Sequence, residues 1–232
     1  MESEGAAVQA QRWVVTVDKA ILGRNAVFAE QNRRRFREAG VHAVNIVSSP
    51  GAGKTVLLER TLSDLQGRVR ICVHVGDLQT DNDARRLSGK GAPVVQIVTG
   101  GYCHLEASMV AQALDKLDLG RLDLLVIENV GNLVCPASYD LGEDRRVVLV
   151  SVTEGEDKPL KYPVIFRNAD VVLITKMDIA HAVGADLAML RTNIRHAAPQ
   201  ASVLEVSART GAGMDAWYEW LMRGVDQRGR KG

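Results

Sequence analysis

Beyond Gly40, hydrophobic positions form short, continuous runs that alternate with amphipathic stretches. The runs favour strands buried on both faces, as in a parallel sheet covered by helices. The stretches between them repeat apolar residues at helical spacing. We therefore predict an α/β domain over residues 41–225, with a mostly parallel central sheet of about seven strands flanked by helices. The predicted strands are Ala43–Val47, Val69–Val75, Val94–Val98, Leu122–Glu128, Arg146–Val152, Asp170–Thr175 and Ser202–Val206, and the predicted helices are Thr55–Leu65, His104–Leu117, Leu160–Asn168 and Val183–Arg195.

The segment before this pattern, residues 1–40, is predicted to be an N-terminal helical extension. From Thr16 to Ala39 apolar residues recur at helical spacing, and Gly40 tolerates the positive φ at which many helices end. Three consecutive arginines, Arg33 to Arg35, lie on this helix. They indicate either a solvated helix face or a nucleic-acid contact, and the balanced charge of the chain favours the solvated face.

The composition is that of an ordinary globular protein. Hydrophobic residues make up 46% of the 232 residues, charged residues make up 25%, and the formal net charge is +1. Such a charge attracts neither nucleic acid nor an anionic membrane, so we expect neither as a partner. Three cysteines are too few for a disulfide framework, and no apolar run approaches the ~20 residues of a transmembrane helix. Because the N-terminus does not resemble a signal peptide, we expect a cytoplasmic protein with reduced thiols.

A glycine-rich turn between the first predicted strand and the next helix is typical of a phosphate-binding loop. Its glycines allow backbone N–H groups to surround phosphate oxygens without interference from a Cβ. Lys54 is suited to reach the β- and γ-phosphates and Thr55 to offer its hydroxyl to Mg²⁺, while the helix adds its positive dipole end. The general pattern G-x-x-x-x-G-K-[ST] has glycine where this chain has Ser48, which is acceptable if that position needs no positive φ. The predicted phosphate-binding residues are Gly51, Ala52, Gly53, Lys54 and Thr55.

A guanine-binding motif is predicted at the end of a late strand, where Thr175-Lys176-Met177-Asp178 is similar to N-K-x-D. The Asp178 carboxylate is suited to accept hydrogen bonds from the N1–H and 2-amino groups of guanine, which adenine lacks, so the motif favours GTP. The stem of Lys176 is suited to lie along the purine face. Ser207 and Ala208 follow the last strand, where GTPases often place a backbone amide near guanine O6. The alternative is that Lys176 and Asp178 are ordinary surface charges.

Carboxylates that follow two further strands are candidates to hold Mg²⁺. Residues 76–83 contain several, and Asp77 is the best placed because it stands at the carboxyl end of its strand. Thr80-Asp81-Asn82 in the same run also suits the cap of the next helix. The segment Glu128-Asn129-Val130-Gly131 stands where a D-x-x-G switch would stand, with glutamate for aspartate. We predict that Thr55, Asp77 and Glu128 hold Mg²⁺ and that Lys54 completes the catalytic set.

Two cysteines and a histidine form a candidate site for a softer metal. Cys103 and His104 follow a glycine turn at the start of a predicted helix, where the helix N-terminus lowers a thiol pKa. Cys135 lies just beyond the Glu128 segment. Thiolate and imidazole suit Zn²⁺ or Ni²⁺, although the spacing matches no zinc finger and a buried structural cysteine is the common alternative. Cys72, inside an apolar strand, is interpreted as a core residue.

The geometry of a regular helix limits how Cys103 and His104 share an ion. Adjacent helical residues point about 100° apart, so the two side chains converge on one metal only if the first turn is irregular. Otherwise each faces a different metal across the two-fold axis of a dimer. The sequence leaves both arrangements open.

Seven segments of the chain share one family resemblance. They are Ser48–Thr55, Gly76–Thr80, Cys103–Leu105, Glu128–Pro136, Asp140–Glu143, Thr153–Pro163 and Trp217–Leu221. Together they resemble the HypB family of hydrogenase nickel-incorporation GTPases, over roughly residues 16–222. The resemblance implies a slow, Mg²⁺-dependent GTPase that binds GTP or GDP, forms a nucleotide- and metal-linked homodimer and helps to deliver nickel to the large-subunit precursor of [NiFe]-hydrogenase, with the nickel-carrying chaperone HypA as a partner. It also implies that Cys103, His104 and Cys135 form a Ni²⁺ or Zn²⁺ site at the dimer interface.

Some members of that family carry a C-x-x-C-G-C motif or a histidine-rich tract, and this sequence shows neither, since its five histidines are dispersed. We therefore expect no high-affinity N-terminal nickel site and no nickel storage. The expected mechanism is a switch, in which nucleotide moves the Glu128–Gly131 segment, displaces Cys135 and changes the metal affinity.

Three other functions are compatible with the motifs. One is an accessory GTPase for another nickel enzyme such as urease, in which a Cys-Pro-His motif would be expected. Another is a structural-zinc dimer with incidental nucleotide binding. A small-molecule P-loop kinase is the third, and Thr175–Asp178 argues against it.

Overall fold

The central sheet has the architecture that the alternating pattern predicts. A computed structural model describes residues 18–77 and 82–229. The strands are β1 His42–Ser48, β2 Ile71–Asp77, β3 Val94–Val98, β4 Leu124–Glu128, β5 Arg145–Ser151, β6 Val171–Thr175 and β7 Ser202–Glu205. They lie in the order β3-β2-β4-β1-β5-β6-β7, and every neighbouring pair is parallel. The predicted α/β fold class is confirmed, and the strand boundaries shift by only a residue or two.

Helices flank the sheet, and an N-terminal helix precedes it. They are α1 Asp18–Ala39, α2 Lys54–Asp64, α3 Asn82–Leu87, α4 Ala107–Leu114, α5 Lys158–Lys161, α6 Pro163–Arg167, α7 Leu187–Ala197 and α8 Met214–Gly229. Within residues 18–77 and 82–229, no helix combines the length and the apolar character that crossing a membrane requires.

Three predicted helices differ from those observed. The helix expected over Val183–Arg195 is α7, which begins only at Leu187, after the capping residue Asp186. The helix expected over His104–Leu117 begins only at Ala107, so the residues of the Cys-His pair precede it in irregular backbone. The helix expected over Leu160–Asn168 is divided into α5 and α6, because Pro163 has no N–H to continue the first helix and its fixed φ begins the second. Periodicity alone did not predict these boundaries.

Apolar clusters on both faces of the sheet explain why the strands are continuously hydrophobic. In β4, Leu124 and Val126 belong to the cluster of α2, α3 and α8, whereas Leu125 and Ile127 belong to that of α1 and α4. A third cluster joins β5 and β6 to α6 and α7. Alternate residues of one strand therefore enter different cores, as expected for a covered parallel sheet.

Helix α1 packs against α4 through polar as well as apolar contacts. Buried Asn32 donates hydrogen bonds to the carbonyls of Ala107 and Leu141, at 2.8 and 3.0 Å. Of the three consecutive arginines on this helix, Arg33 pairs with Asp140 and Arg35 with Asp115. The predicted helix began at Thr16, and residues before Asp18 lie outside the described part of the chain.

The position of β1 determines where a ligand would bind. This strand lies between β4 and β5. The connection from β1 leads to β2 on one side of the sheet, whereas the connection from β4 leads to β5 on the other, so a crevice opens at the carboxyl ends of the strands. Strands β1, β2, β4 and β6 end there at Ser48, Asp77, Glu128 and Thr175. The predicted phosphate, magnesium and base residues therefore share one edge.

Candidate functional site

The phosphate-binding loop connects β1 to α2 with the backbone conformation that its glycines predict. Gly51 and Gly53 have φ of 77° and 98°, and α2 begins directly at Lys54. Ser48, which replaces a glycine of the general pattern, is the last residue of β1 and lies in extended backbone. No positive φ is needed there, so serine is accommodated.

The Lys54 side chain lies in the crevice rather than in solvent. Its ammonium donates a hydrogen bond to Ser48 Oγ at 3.0 Å, and Ser48 in turn donates to the carbonyl of Ser49 at 2.6 Å. Burial lowers the pKa of Lys54, and the nearby carboxylates, of which Glu128 has the largest effect, oppose that shift. An anionic ligand strongly stabilises a partly desolvated cation of this kind, because the attraction between opposite charges is stronger away from water. The serine hydroxyl that holds it was not identified from sequence as a site residue.

Thr55 and Glu128 meet beside the lysine. The Thr55 hydroxyl donates to Glu128 Oε1 at 2.9 Å. The other carboxylate oxygen, Oε2, is buried and has no hydrogen-bond partner within the described residues. Burial raises the pKa of Glu128 to about 7, although the charge of Lys54 and the hydrogen bond from Thr55 both lower it. An orphaned carboxylate oxygen next to a threonine hydroxyl fits a hard cation such as Mg²⁺.

Asp77, the third predicted magnesium residue, lines the same cavity of about 500 Å³, together with Lys54, Thr55 and Glu128. Of the run that was predicted to cap the next helix, Asn82 is the first residue of α3, whereas Thr80 and Asp81 lie outside the described residues. The structure thus brings the three predicted oxygen ligands to one cavity.

The predicted base pocket adjoins the phosphate loop. A cavity of about 220 Å³ is lined by Gly53, Lys176, Asp178 and Ala208, among others. Ser207 donates its hydroxyl hydrogen to Asp178 Oδ1 at 2.7 Å, which orients this carboxylate in the lining of the cavity. The cavity and this hydrogen bond therefore bring together the two segments predicted to bind the base, Thr175–Asp178 and Ser207-Ala208.

Threonine in place of asparagine has a structural role in this motif. Thr175 Oγ1 donates to the carbonyl of Ala52 at 2.7 Å, so the base segment is tied to the phosphate loop. The next residue, Lys176, has φ of 60°, which L side chains seldom adopt. Strained backbone of this kind persists where surrounding contacts enforce it and is common at binding sites.

Cys103, His104 and Cys135 converge within one chain. One ligand atom from each lies within 4.8 Å of the others, with 2.7 Å between the two sulfurs and 3.9 Å from Cys103 Sγ to His104 Nδ1. The expectation that the Cys-His pair begins a helix is wrong, because α4 starts at Ala107. The irregular backbone allows two adjacent side chains to face the same point, so a partner subunit is not required to bring the three donors together.

The expected lowering of the cysteine pKa is also wrong. The contact with Cys135 and then burial raise the pKa of Cys103. A helix dipole acts mainly within the first turn, and α4 starts too late to favour the thiolate. By contrast, Cys72 is confirmed as a core residue, since it is fully buried and burial raises its thiol pKa to about 12.

Aromatic rings enclose the imidazole of the cluster. The His104 ring lies against Tyr139 with 3.9 Å between centroids and meets the edge of Tyr102 at 6.1 Å. Its Nδ1 faces the sulfur, whereas Nε2 is buried 3.9 Å from a Glu106 oxygen. A metal-bound histidine commonly has a carboxylate near its other nitrogen. Sequence reasoning missed Glu106 and Tyr139.

Two asparagines link the cluster to the nucleotide cavity. Asn129, next to Glu128, accepts a hydrogen bond from the backbone N–H of Leu105 at 3.2 Å. Asn132 donates to the carbonyl of Cys103, also at 3.2 Å. Both lie in a motif that the sequence did indicate, but their partners are distant along the chain and were not predictable from spacing.

Comparisons with known proteins agree with the fold described above. The family described as CobW/HypB/UreG, nucleotide-binding domain matches residues 42–205. Hydrogenase maturation factor HypB of Rhizobium leguminosarum bv. viciae is 50% identical over 211 residues, which are 91% of this chain and 71% of that protein. The crystal structure of HypB from Helicobacter pylori in complex with nickel superposes with a TM-score of 0.84 at 40% identity, over 88% of this chain and 96% of that one. HypB from Archaeoglobus fulgidus gives a TM-score of 0.82 at 42% identity, over 88% and 99% of the two chains.

Proposed function

The chain belongs to the CobW/HypB/UreG family and within it to the HypB hydrogenase maturation factors, and on that premise we propose that it is a GTP-hydrolysing metallochaperone. It binds Ni²⁺ or Zn²⁺ as cargo at Cys103, His104 and Cys135 and assists nickel insertion into [NiFe]-hydrogenase. It acts as a homodimer linked by nucleotide and metal, with the nickel-carrying chaperone HypA and the hydrogenase large-subunit precursor as partners.

One observation carries this proposal: a single irregular segment joins the two sites. Glu128 at its start bonds Thr55 in the nucleotide cavity, and Cys135 at its end faces Cys103 in the metal cluster. Residues 129–134 between them form neither helix nor strand. Contact of nucleotide and cation with Glu128 therefore acts on a segment that carries a metal ligand.

The hydrolytic role of the chain is mainly electrostatic. Lys54 and the N–H groups of residues 51–55 bind the phosphates, while Thr55, Asp77 and Glu128 hold Mg²⁺, which neutralises phosphate charge when it is bound. Arg86 lines the cavity, but its guanidinium is bonded to Glu59 at 2.8 Å. Among the described residues that line the cavity Arg86 is the one arginine, and because it is paired with Glu59 we expect slow intrinsic turnover.

Guanine selectivity follows from the carboxylate at the base pocket. Asp178 presents acceptor oxygens that match the N1–H and 2-amino donors of guanine, with Lys176 along the purine face and the backbone of Ser207 and Ala208 near O6. Adenine leaves that carboxylate unmatched, and an unsatisfied polar group costs about 1–3 kcal/mol. We therefore expect GTP to be preferred over ATP.

The test is a Ni²⁺ and Zn²⁺ titration of the GDP and GTP-analogue forms, with the oligomeric state measured in parallel. We expect the metal affinity to differ between the two forms by a factor of about 5–150, the usual range of allosteric coupling. Equal affinities in both forms would instead favour a structural-zinc dimer. Equal turnover of ATP and GTP would favour a kinase-like nucleotide site.

A further inference from the structure

Asn129 occupies an unusual position between the nucleotide cavity and the metal cluster. Its side chain is buried and makes three hydrogen bonds. Oδ1 accepts from the N–H groups of Leu105 and Val130, at 3.2 and 2.9 Å, and Nδ2 donates to Asn45 Oδ1 at 3.3 Å. One amide thus contacts the Glu128–Gly131 segment, hereafter the switch segment, as well as the central strand β1 and Leu105, which directly follows His104.

The amide nitrogen of Asn129 bonds a residue, Asn45, that is itself held in a buried hydrogen-bond network. Asn45 is fully buried in β1 and donates its own Nδ2 hydrogen to Glu143 Oε1 at 3.1 Å. The same oxygen accepts from Arg146 Nη2 at 2.6 Å, and both of these charged side chains are more than nine-tenths buried. A satisfied, buried network of this kind holds a single arrangement well.

The acceptor oxygen of Asn129 bonds Leu105, which lies between the segments that carry the predicted magnesium ligands Asp77 and Glu128. Leu105 is buried, and a Cβ at Gly76 would lie 2.8 Å from its Cγ, so this leucine packs directly on the backbone beside Asp77. The N–H of Leu105 is held by Asn129, beside Glu128. Movement of either carboxylate segment therefore displaces the residue attached to His104.

The switch segment also lies tightly against the phosphate loop. A Cβ at Gly131 would come within 3.1 Å of Pro50 Cα, so the two backbones are in close contact. A shift of the phosphate loop when nucleotide binds is consequently passed to residues 129–131. Packed elements transmit such shifts because they cannot deform continuously.

We propose that Asn129 is the positioning residue that couples nucleotide state to metal affinity, by transferring displacement of the Glu128 segment to the backbone of Leu105 and hence to the His104 ligand. The proposal rests on the proposed function, because it assumes that the cluster binds metal and that the cavity binds GTP. Asn129 lines the nucleotide cavity, but its side-chain hydrogen bonds go to Leu105, Val130 and Asn45 and to none of the predicted metal ligands. Its proposed role is therefore to set the coupling between the two sites rather than the capacity of either.

The test compares three variants of the full chain with the wild type. Asn129→Leu is similar in shape and removes all three hydrogen bonds. Asn129→Asp keeps an acceptor for Leu105 and Val130. Asn193→Leu is the matched control, because Asn193 is a half-buried asparagine on α7 that bonds the carbonyl of Glu156 at 2.8 Å, outside this network. The Ni²⁺ dissociation constant is measured by competition with a chelator, in the GDP and GTP-analogue forms.

We expect the wild type and Asn193→Leu to show the same ratio of metal affinities between nucleotide states. In Asn129→Leu the ratio should fall to within about twofold of one, against the 5–150-fold that is typical of coupled sites. Sulfur-to-nickel charge-transfer absorption should remain, which a merely disrupted cluster would lose. Asn129→Asp should recover most of the wild-type ratio.

The outcomes separate this inference from the function beneath it. If the wild type shows no difference between nucleotide states, the proposed switch fails. If the wild type shows the difference and Asn129→Leu retains it, Asn129 is not the coupling residue. Should Asn129→Leu fail to fold, Asn129→Ser is measured in the same way, because its short hydroxyl does not reach Leu105, and a retained ratio there also overturns the inference.

Discussion

The phosphate loop and the metal cluster lie at the same edge of one sheet, yet they are built in different ways. The loop consists of consecutive residues whose conformation is set locally, by two glycines with positive φ and by the start of α2. The cluster joins two irregular segments whose cysteines are 32 residues apart. A loop whose conformation is determined locally keeps its shape. The distances within a cluster that depends on contacts between distant segments change when those contacts move.

The two sites also differ in the charges that they hold before ligands bind. The nucleotide cavity buries Lys54 and Glu128, and burial lowers the pKa of the first and raises that of the second to about 7. The cluster buries no comparable opposite charges and is half-exposed at both cysteines. The nucleotide cavity is thus prepared for a charged ligand, and mutations should affect the two sites independently except through the segment that joins them.

The largest expected effect is a loss of GTP turnover, and it comes from a change in the phosphate loop that leaves the metal cluster intact. Lys54→Ala should abolish GTP turnover, because it removes the cation that contacts the β- and γ-phosphates. Circular dichroism and Ni²⁺ binding in the absence of nucleotide should remain unchanged. Lys116→Ala, at an exposed lysine after α4, is the control and should hydrolyse GTP normally. Wild-type turnover in Lys54→Ala would remove the loop from the mechanism.

The converse experiment is made at the cluster. Cys103→Ala and Cys135→Ala should each remove most tight Ni²⁺ and Zn²⁺ binding, and His104→Ala should weaken Zn²⁺ binding less, because water can take one tetrahedral position. Nucleotide affinity should survive all three changes. Cys72→Ala provides the matched control, since its thiol lies in the core away from the cluster. Tight metal binding that persists without Cys135 would show that the cluster is not the metal site.

A third prediction sharpens the comparison at the base pocket. Asp178→Asn should weaken GTP binding by about 2–4 kcal/mol, because one charge-assisted bond is lost and an amide donor faces the donors of guanine. Binding of xanthosine triphosphate should improve relative to GTP, since xanthine presents a carbonyl at that position. Calorimetric titration with both nucleotides measures the change, and unchanged GTP affinity would place the base elsewhere.

The smallest effect concerns the stability of the ligand-free protein. Because burial raises the pKa of Glu128 from 4.5 to about 7, the folded state binds a proton that the unfolded state releases in this range. This contribution to stability is complete below about pH 4.5 and is lost as the pH rises through 7. Relative to the wild type, Glu128→Gln should therefore gain stability as the pH rises from 4.5 to 7, by up to about 3 kcal/mol.

Denaturant unfolding of both proteins across this pH range measures the difference. Two buried histidines, His42 and His74, have pKa values that burial lowers to about 4, and their contribution to stability instead increases as the pH rises from about 4 to 6.5. They are present in both proteins and cancel in the comparison. A difference that is independent of pH would mean that Glu128 is ionised in the ligand-free protein.

Most of the fold was predictable because its signals are local. Continuous apolar runs determine buried parallel strands, and the glycine turn before Lys54 and the motif ending in Asp178 each lie within a few consecutive residues. The boundary errors arose where periodicity is uninformative. Helix α4 begins at Ala107 instead of His104, and Pro163 divides one predicted helix into two. The presence of a helix or a strand follows from the hydrophobic pattern, whereas the residues at which it begins and ends depend on capping and on packing.

The order of strands and helices, the phosphate loop and the donor types that suit a soft metal could all be predicted from the chain, because each of these depends on neighbouring residues. The tertiary structure alone decided that Cys103, His104 and Cys135 meet at one point and that Asn129 joins them to the nucleotide cavity. Those contacts cross between loops that follow different strands. Their distances depend on how the strands pair and how the loops pack, which no spacing along the chain records.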